Sequence, residues 1–276
     1  MAHFLPGGVF ALLALALMAA EYLFHKVNHV EGAPESHDAA ETAASLVIAM
    51  GNKVTGALTA GIAALPVTFV FQHRMFDIPV QGVLAWAVLL VAVDFCYYLH
   101  HLAMHKVRWL WANHAVHHSA TRLNLSAAVR LGWGGHLTGG LVFYLPLVAL
   151  GVPPLAVFSL LGLGLVYQFF LHLARPPHLG PLEWVLNTPR HHQVHHASNP
   201  SVVDRNFGGV LIVFDRLFGT FAHAPKDEPL TFGIGGTGAT SHPLRIVFGT
   251  WLEMLRETTR APGLKAKLGI LFGPPG

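Results

Sequence analysis

His114, His117 and His118 repeat the spacing of His192, His195 and His196, an HxxHH box met twice in one chain. A third group, His100, His101 and His105, precedes the first box. Ten of the twenty histidines fall within 100–118 and 191–196. Positions i, i+3 and i+4 of a helix point to one side, so each box presents three imidazoles together. Neutral imidazole is the commonest side-chain metal ligand, and two such triplets can surround one metal or a pair. Of the other ten, His3, His25, His29, His37, His73, His136, His178, His223 and His242 are isolated and read as surface or structural residues, and His172 ends the second apolar arm of a later hairpin.

Cys96 is the only cysteine. That excludes an intrachain disulfide and any CxxC zinc, iron–sulfur or redox motif. A metal site here is therefore built from histidine, with carboxylates in support. Imidazole suits Zn, Cu, Fe and Ni alike, so ligand type alone does not choose the metal.

Only 11% of the residues are charged and 53% are hydrophobic, where soluble domains carry about 25% charged residues. Seventeen basic residues face 14 acidic ones, with no dense Lys/Arg run of the kind that marks nucleic-acid binding. The partner of such a chain is the bilayer. A crossing helix needs about 20 mostly apolar residues. Phe4–Phe24, Ser45–Phe71 and Val80–Leu102 qualify, separated by a polar loop (His25–Thr42) and a turn (Gln72–Pro79). The first stretch has no basic residue before Lys26 and reads as a retained span rather than a signal peptide. Gly139–Gly151 and Pro153–Leu171 form an apolar pair broken at Gly151-Val152-Pro153-Pro154, which predicts a tight hairpin, re-entrant or tilted.

The expected fold is an all-α integral membrane protein, a single domain over 1–276. Four to five transmembrane helices carry a cytosolic, histidine-rich helical cap. Residues 263–276, rich in Gly and Pro, are expected to form a flexible tail. Lys106, Arg108, Arg122 and Arg130 follow the third span, and Arg175, Arg190 and Arg205 follow the hairpin. By the positive-inside rule both histidine regions face the cytoplasm. Arg122 and Arg130 fit a lipid phosphate or that bias equally well.

Three stretches resemble one family. Asp94-Phe-Cys-Tyr-Tyr-Leu-His-His-Leu-Ala-Met-His105 and Leu110-Trp-Ala-Asn-His-Ala-Val-His-His-Ser119 are similar to the opening signature of the fatty acid hydroxylase/sterol desaturase superfamily. Asn187-Thr-Pro-Arg-His-His-Gln-Val-His-His196 resembles its third box, and Asp204-Arg-Asn-Phe-Gly-Gly209 and Asp215-Arg-Leu-Phe-Gly-Thr-Phe221 its continuation. The resemblance covers about 82–222. It implies a non-haem di-iron centre on the cytosolic side, with two iron ions as cofactor and O2 as co-substrate. It implies His100, His105, His114, His117, His118, His172, His192, His195 and His196 as metal ligands. His101 stands where the family commonly has Arg. The i, i+4 spacing pairs His101 with His105, whereas the resemblance pairs His100 with His105; both alternatives stay open.

The chemistry this supports is hydroxylation or desaturation of a lipid C–H bond, fatty acyl, sterol or ether-lipid. Such bonds resist acid–base attack and need a strong oxidant. A metal-bound His usually donates its second N–H to a carboxylate or carbonyl. Asp94, Asn124, Asp204, Asn206 and Asp215 are candidates for that support, and Asp94 and Asn206 are expected to act in catalysis. Asp94 sits inside an otherwise apolar span, where ionisable residues are usually functional. Gly162-Leu-Gly164 has no strand before it and is no dinucleotide loop. Electrons therefore come from a separate donor: a reductase, a cytochrome or ferredoxin, or a reduced pterin. The alternative is a histidine-rich membrane protein that binds or transports metal without oxygenase activity.

Overall fold

Three long helices open the chain: α1 (Gly7–Val27), α2 (Ala39–Gln72) and α3 (Gly82–Lys106). The computed structural model describes residues 7–28, 36–234 and 240–275, so Phe4–Pro6 of the expected first span, His3 and His29 lie outside the described residues. α1, α2 and α3 are each long and apolar enough to cross a membrane. Only 17, 11 and 33% of their most apolar windows is buried within the protein. Side chains such as Leu58, Ile62, Leu65, Val83, Leu84 and Val88 point outward. Such a surface needs hydrocarbon around it and is that of a multi-pass membrane protein.

α2 starts six residues before the expected span. The Asp38 carboxylate accepts the Glu41 N–H at 2.8 Å, an N-cap that satisfies one of the helix's free donors. Its 34 residues rise about 51 Å, beyond the roughly 30 Å hydrocarbon core, so its ends stand clear of the membrane interior.

The chain continues as α4 (Arg108–His118), α5 (Leu145–Leu150), α6 (Pro154–Phe170), α7 (Pro189–His196), α8 (Val213–Phe218), α9 (Pro243–Arg260) and α10 (Gly263–Phe272). Among the described residues there is no strand, only the isolated bridges Leu186–Leu211 and Ala197–Phe232.

The expected hairpin takes a different form. Its first arm is a short 3-10 turn followed by the six-residue α5. Gly139 in a left-handed conformation and Pro146 interrupt any longer helix. The break at Gly151 (φ 115°) packs on the α2–α3 turn, where a Cβ would fall 1.9 Å from the Phe76 carbonyl oxygen. The second arm, α6, has 17 residues and runs from that turn back to His172. Three helices thus have full spanning length, and α6 traverses the same interval with fewer residues. The expected flexible tail is also corrected. Residues 263–272 form α10, whose end is held by a hydrogen bond from Arg108 N–H to the Gly273 carbonyl at 2.8 Å.

Packing gathers one end of every long helix. Toward the other end, Val67, Leu89, Val93, Tyr144, Val148 and Val157 join α2, α3, α5 and α6. Glu21 near the end of α1 accepts N–H groups of Leu125 and Ala174, both at 2.9 Å. Arg130, 1% exposed, donates to Ser45 Oγ and the Glu41 carbonyl of α2, each at 3.0 Å, and to Ser119 Oγ at 3.2 Å. It is a buried brace and meets no lipid phosphate. The C-termini of α1, α3 and α6 and the N-terminus of α2 therefore converge on the histidine-rich cap.

Candidate metal centre

α3 places Asp94, Tyr97, His101 and His105 on successive turns. α4 carries His114, His117 and His118, and α7 carries His192, His195 and His196. His172 stands just past the end of α6. These nine histidines are buried and form two groups. His101, His105, His114, His118 and His195 make one; His117, His172, His192 and His196 make the other. Within each group the ligand atoms lie within 4.8 Å of one another. The groups touch where His118 stacks on His196, ring centroids 4.3 Å apart.

Each HxxHH box is shared between the groups rather than facing one of them. On a helix, residue i+3 lies about 60° to one side of residue i, and i+4 about 40° to the other. His114 and His118 therefore turn to the first group and His117 to the second. In α7 the allocation is reversed: His192 and His196 join the second group, His195 the first.

The same geometry separates His100 from His101. Five residues from His105 is about 140° around the helix, while four is about 40°. His101 enters the first group. His100 points away, its ring stacked on Phe143 at 5.2 Å and edge-on to Tyr144 at 6.0 Å. His191 also lies outside, against Phe221 at 5.3 Å.

Hydrogen bonds fix which nitrogen is free. A carbonyl oxygen can only accept, so an imidazole nitrogen facing one must carry its proton. His101 Nδ1 donates to the Phe207 carbonyl at 2.8 Å and His195 Nδ1 to the Arg205 carbonyl at 2.9 Å. His172 Nδ1 donates to the Gln168 carbonyl at 2.8 Å and His117 Nδ1 to the Arg130 carbonyl at 3.3 Å. His105 Nδ1 faces Asp204 Oδ1 at 3.1 Å. In each neutral ring the Nε2 lone pair is left to face the group interior.

The residues fit a metal. His117 Nε2 and His172 Nε2 are 3.1 Å apart, and both carry lone pairs once their Nδ1 protons are placed. Two bare lone pairs repel unless a cation lies between them. A metal–imidazole bond is about 2.0–2.1 Å, so neighbouring ligands at a right angle stand about 3 Å apart. The Nε2–Nε2 separations of 3.0 Å for His101–His114, and 3.1 Å for His114–His118, His172–His192 and His192–His196, share that spacing. The buried Nε2 atoms of His105 and His195 have no hydrogen-bond partner. Burial, then neighbouring imidazoles, holds His114, His118, His192, His195 and His196 well below the ordinary histidine range. The neutral form that this enforces is the one that binds metal.

The segment 204–209 organises the first group. Asp204, Arg205 and Phe207 supply the acceptors for His105, His195 and His101. Burial opposes the Asp204 charge, but hydrogen bonds from His105 and Lys106 hold its carboxyl down to about 2. Asp204 and Asn206 are the two non-glycine residues with positive φ, 60° and 57°, among the described residues, and Asp and Asn tolerate that conformation better than other side chains. The Asp215 carboxylate accepts the Phe207 and Gly208 N–H groups, both at 2.7 Å. Asp94 accepts those of Val210 and Leu211, both at 2.8 Å. Asn206 donates to the His191 carbonyl at 3.1 Å and accepts from Ala222 N–H at 2.8 Å. Asp94 and Asn206, expected to act in catalysis, thus make their hydrogen bonds to backbone and shape this loop, and neither belongs to a histidine group. Asn124 holds Ser36 and Ser126. The backbone acceptors at 205 and 207 carry no side-chain signal; the Asp-Arg-Asn-Phe-Gly-Gly run marks their place.

The centre lies between two cavities. One of about 260 Å³ opens beside the first group, lined by His105, Trp111, His118, His195, Asp204 and Ser198 among others. The other, of about 10 Å³, lies in the seam between α3 and α6, lined by Leu90, Tyr97, Leu160, Gly164, Gln168 and Val210 among others.

The fatty acid hydroxylase family pattern matches residues 86–220. The chain is 36% identical over 206 residues to the alkylglycerol monooxygenase of Xenopus tropicalis and 37% identical over 205 residues to that of Homo sapiens. Each match covers 74% of this chain and 45% of the relative, so the chain spans less than half the length of these relatives. It is 33% identical over 161 residues to ornithine lipid hydroxylase OlsE of Rhizobium tropici, covering 57% of this chain and 48% of that protein. No solved structure matches the chain.

Proposed function

Because residues 86–220 belong to the fatty acid hydroxylase family, we propose that this chain is an O2-dependent lipid hydroxylase with a di-iron centre in its histidine cap. The observation that supports it is the pair of adjoining histidine groups, five and four residues, whose ligand nitrogens converge. His101, His105, His114, His118 and His195 would hold one iron; His117, His172, His192 and His196 the other. Bound iron would supply the activation of O2 that breaking an aliphatic C–H bond demands.

One oxygen atom enters the C–H bond and the second leaves as water, so two electrons and two protons come from outside. No cysteine pair exists to supply them, and a separate donor protein or a reduced pterin fills that role. The larger cavity, bordered by Ser198 and Asp204, gives water-borne reactants a route to the first group. The cap faces the cytoplasm in this reading, on the strength of its Lys and Arg residues.

The lipid approaches from the other side. The names of the relatives refer to alkylglycerols and ornithine lipid; their common ground is a lipid, and we assign that substrate class here. An alkyl chain would enter along the α3–α6 seam past Gly164, and the seam has to open for it, because its cavity is only about 10 Å³. Tyr97, whose ring lies 5.4 Å from His101, and Gln168, one turn before His172, orient it and exclude water.

Purified chain from iron-supplied cells should hold about two irons. His117→Ala and His195→Ala, one from each group, should each remove iron. With 18O2, a reductant and an alkylglycerol or ornithine lipid, the product should gain one 18O atom. Wild-type protein without iron, or a product whose oxygen comes from water, would refute this function.

A further inference from the structure

α9 has three distinct longitudinal faces. At about 100° per residue, Ile246, Val247, Thr250, Trp251 and Met254 fall on the packed side. That side lies on Ala44 and Ile48 of α2 and Val116 of α4. Next to it runs a strip of Leu244, Phe248, Leu252 and Leu255, spread over about 80° and 43 to 52% exposed. Beyond that strip come the exposed Arg245, Arg256 and Arg260. Glu253 lies at the far edge, and Glu257 is paired with Arg108. α10 adds exposed Leu264, Leu268 and Phe272 at one-turn intervals, with Lys265 and Lys267 between them.

The strip adjoins the lipid-facing wall. Phe248 meets Trp133 edge-on at 5.6 Å, and Trp133 Nε1 donates to the Ile48 carbonyl of α2 at 3.0 Å. Exposed apolar residues of α2 begin there with Leu46, Val47 and Met50. A helix with an apolar strip flanked by arginines suits the boundary between headgroups and acyl chains. The arginine stems lie on apolar surface while their guanidiniums reach lipid phosphate.

We propose that α9 and α10 form an interfacial clamp that lies on the bilayer surface and engages anionic lipid through Arg245, Arg256 and Arg260. It fixes the cap against the membrane beside the cap-side end of α2, where α9 packs on Ala44 and Ile48. This holds whether or not the metal reading holds.

The test uses the full chain in liposomes, with a small fluorophore on Leu252→Cys or Glu253→Cys; Cys96 is buried and stays unlabelled. Quenching by nitroxide lipids labelled just below the headgroup is compared with quenching by aqueous iodide. The label at 252 should respond to the lipid quencher and resist iodide, with the reverse at 253. Replacing phosphatidylglycerol by phosphatidylcholine should lower the lipid-to-iodide ratio at 252, and Arg256→Gln/Arg260→Gln should abolish that difference. Equal iodide access at both positions would place α9 in water and overturn the proposal. So would shielding at 252 from both quenchers, which would mean a second copy or another protein covers the strip.

Discussion

His101 Nδ1 donates to the carbonyl oxygen of Phe207 at 2.8 Å, and that one bond turns the ring so that its other nitrogen joins the first histidine group. Its neighbour His100 lies against Phe143. His101→Ala should therefore lower bound iron, and His100→Ala should leave it near the wild-type value. Metal analysis of the two purified variants decides; equal losses would contradict the placement.

Asp204 holds His105 and Lys106 at once. Asp204→Ala removes the acceptor behind a metal-facing imidazole, a change that typically weakens metal affinity about 10- to 100-fold. Asp204→Asn keeps one oxygen and tolerates the positive φ, so its loss should be smaller. Competition with a chelator measures both; identical affinities in wild type and Asp204→Ala would show that this support is dispensable.

Asp94 packs directly against the loop at Gly209. A Cβ at Gly209 would lie 2.6 Å from Asp94 Oδ1 and 2.8 Å from the Tyr97 ring. Gly209→Ala should destabilise the protein by about 1–3 kcal/mol. Asp94→Asn, which turns one acceptor into a donor against a backbone N–H, should cost about as much. Thermal unfolding in detergent checks both, and unchanged midpoints would mean that the loop yields freely.

Arg130 forks to Ser45, the Glu41 carbonyl and Ser119. Lysine cannot reproduce that fork. Arg130→Lys should cost about 3 kcal/mol, and His117 should also lose orientation, because its Nδ1 acceptor is the Arg130 carbonyl. Lower stability together with reduced iron is the expected pair of results; a stable variant with full iron would break the link.

Gly164 tests the lipid route. A Cβ there meets Val210 at 3.7 Å and Gln168 at 3.9 Å, ordinary contact distances, so Gly164→Ala should be tolerated. Gly164→Leu should fill the seam, reducing kcat/KM for the lipid at least about tenfold with iron content preserved. Unimpaired turnover by Gly164→Leu would move the route elsewhere.

The spans were legible in the sequence because hydrocarbon imposes a simple demand, a run of apolar residues long enough to cross. The two HxxHH boxes were legible because ligand type and helical spacing coincide. Between His100 and His101 the sequence left both open: helical angle favoured His101, which joins the first group, and family likeness favoured His100, which lies against Phe143. Asp94 and Asn206 stood out by chemistry, yet their partners are peptide N–H and C=O groups that no side-chain pattern reveals. The short first arm of the hairpin and the α10 helix depended on tertiary contacts, Gly151 against Phe76 and Gly273 against Arg108, which local composition does not encode.

The sharing of each HxxHH box between both groups has a mechanical consequence. α4 and α7 each reach into both clusters, two nitrogens to one and one to the other, in opposite allotments. The gap between the clusters is therefore ruled by the fixed pitch of a helix turn, and neither cluster can widen or slide without dragging its twin. A single residue inserted between His114 and His117 would rotate every later position by about 100° and undo both at a stroke. Two positions so yoked assemble together or not at all.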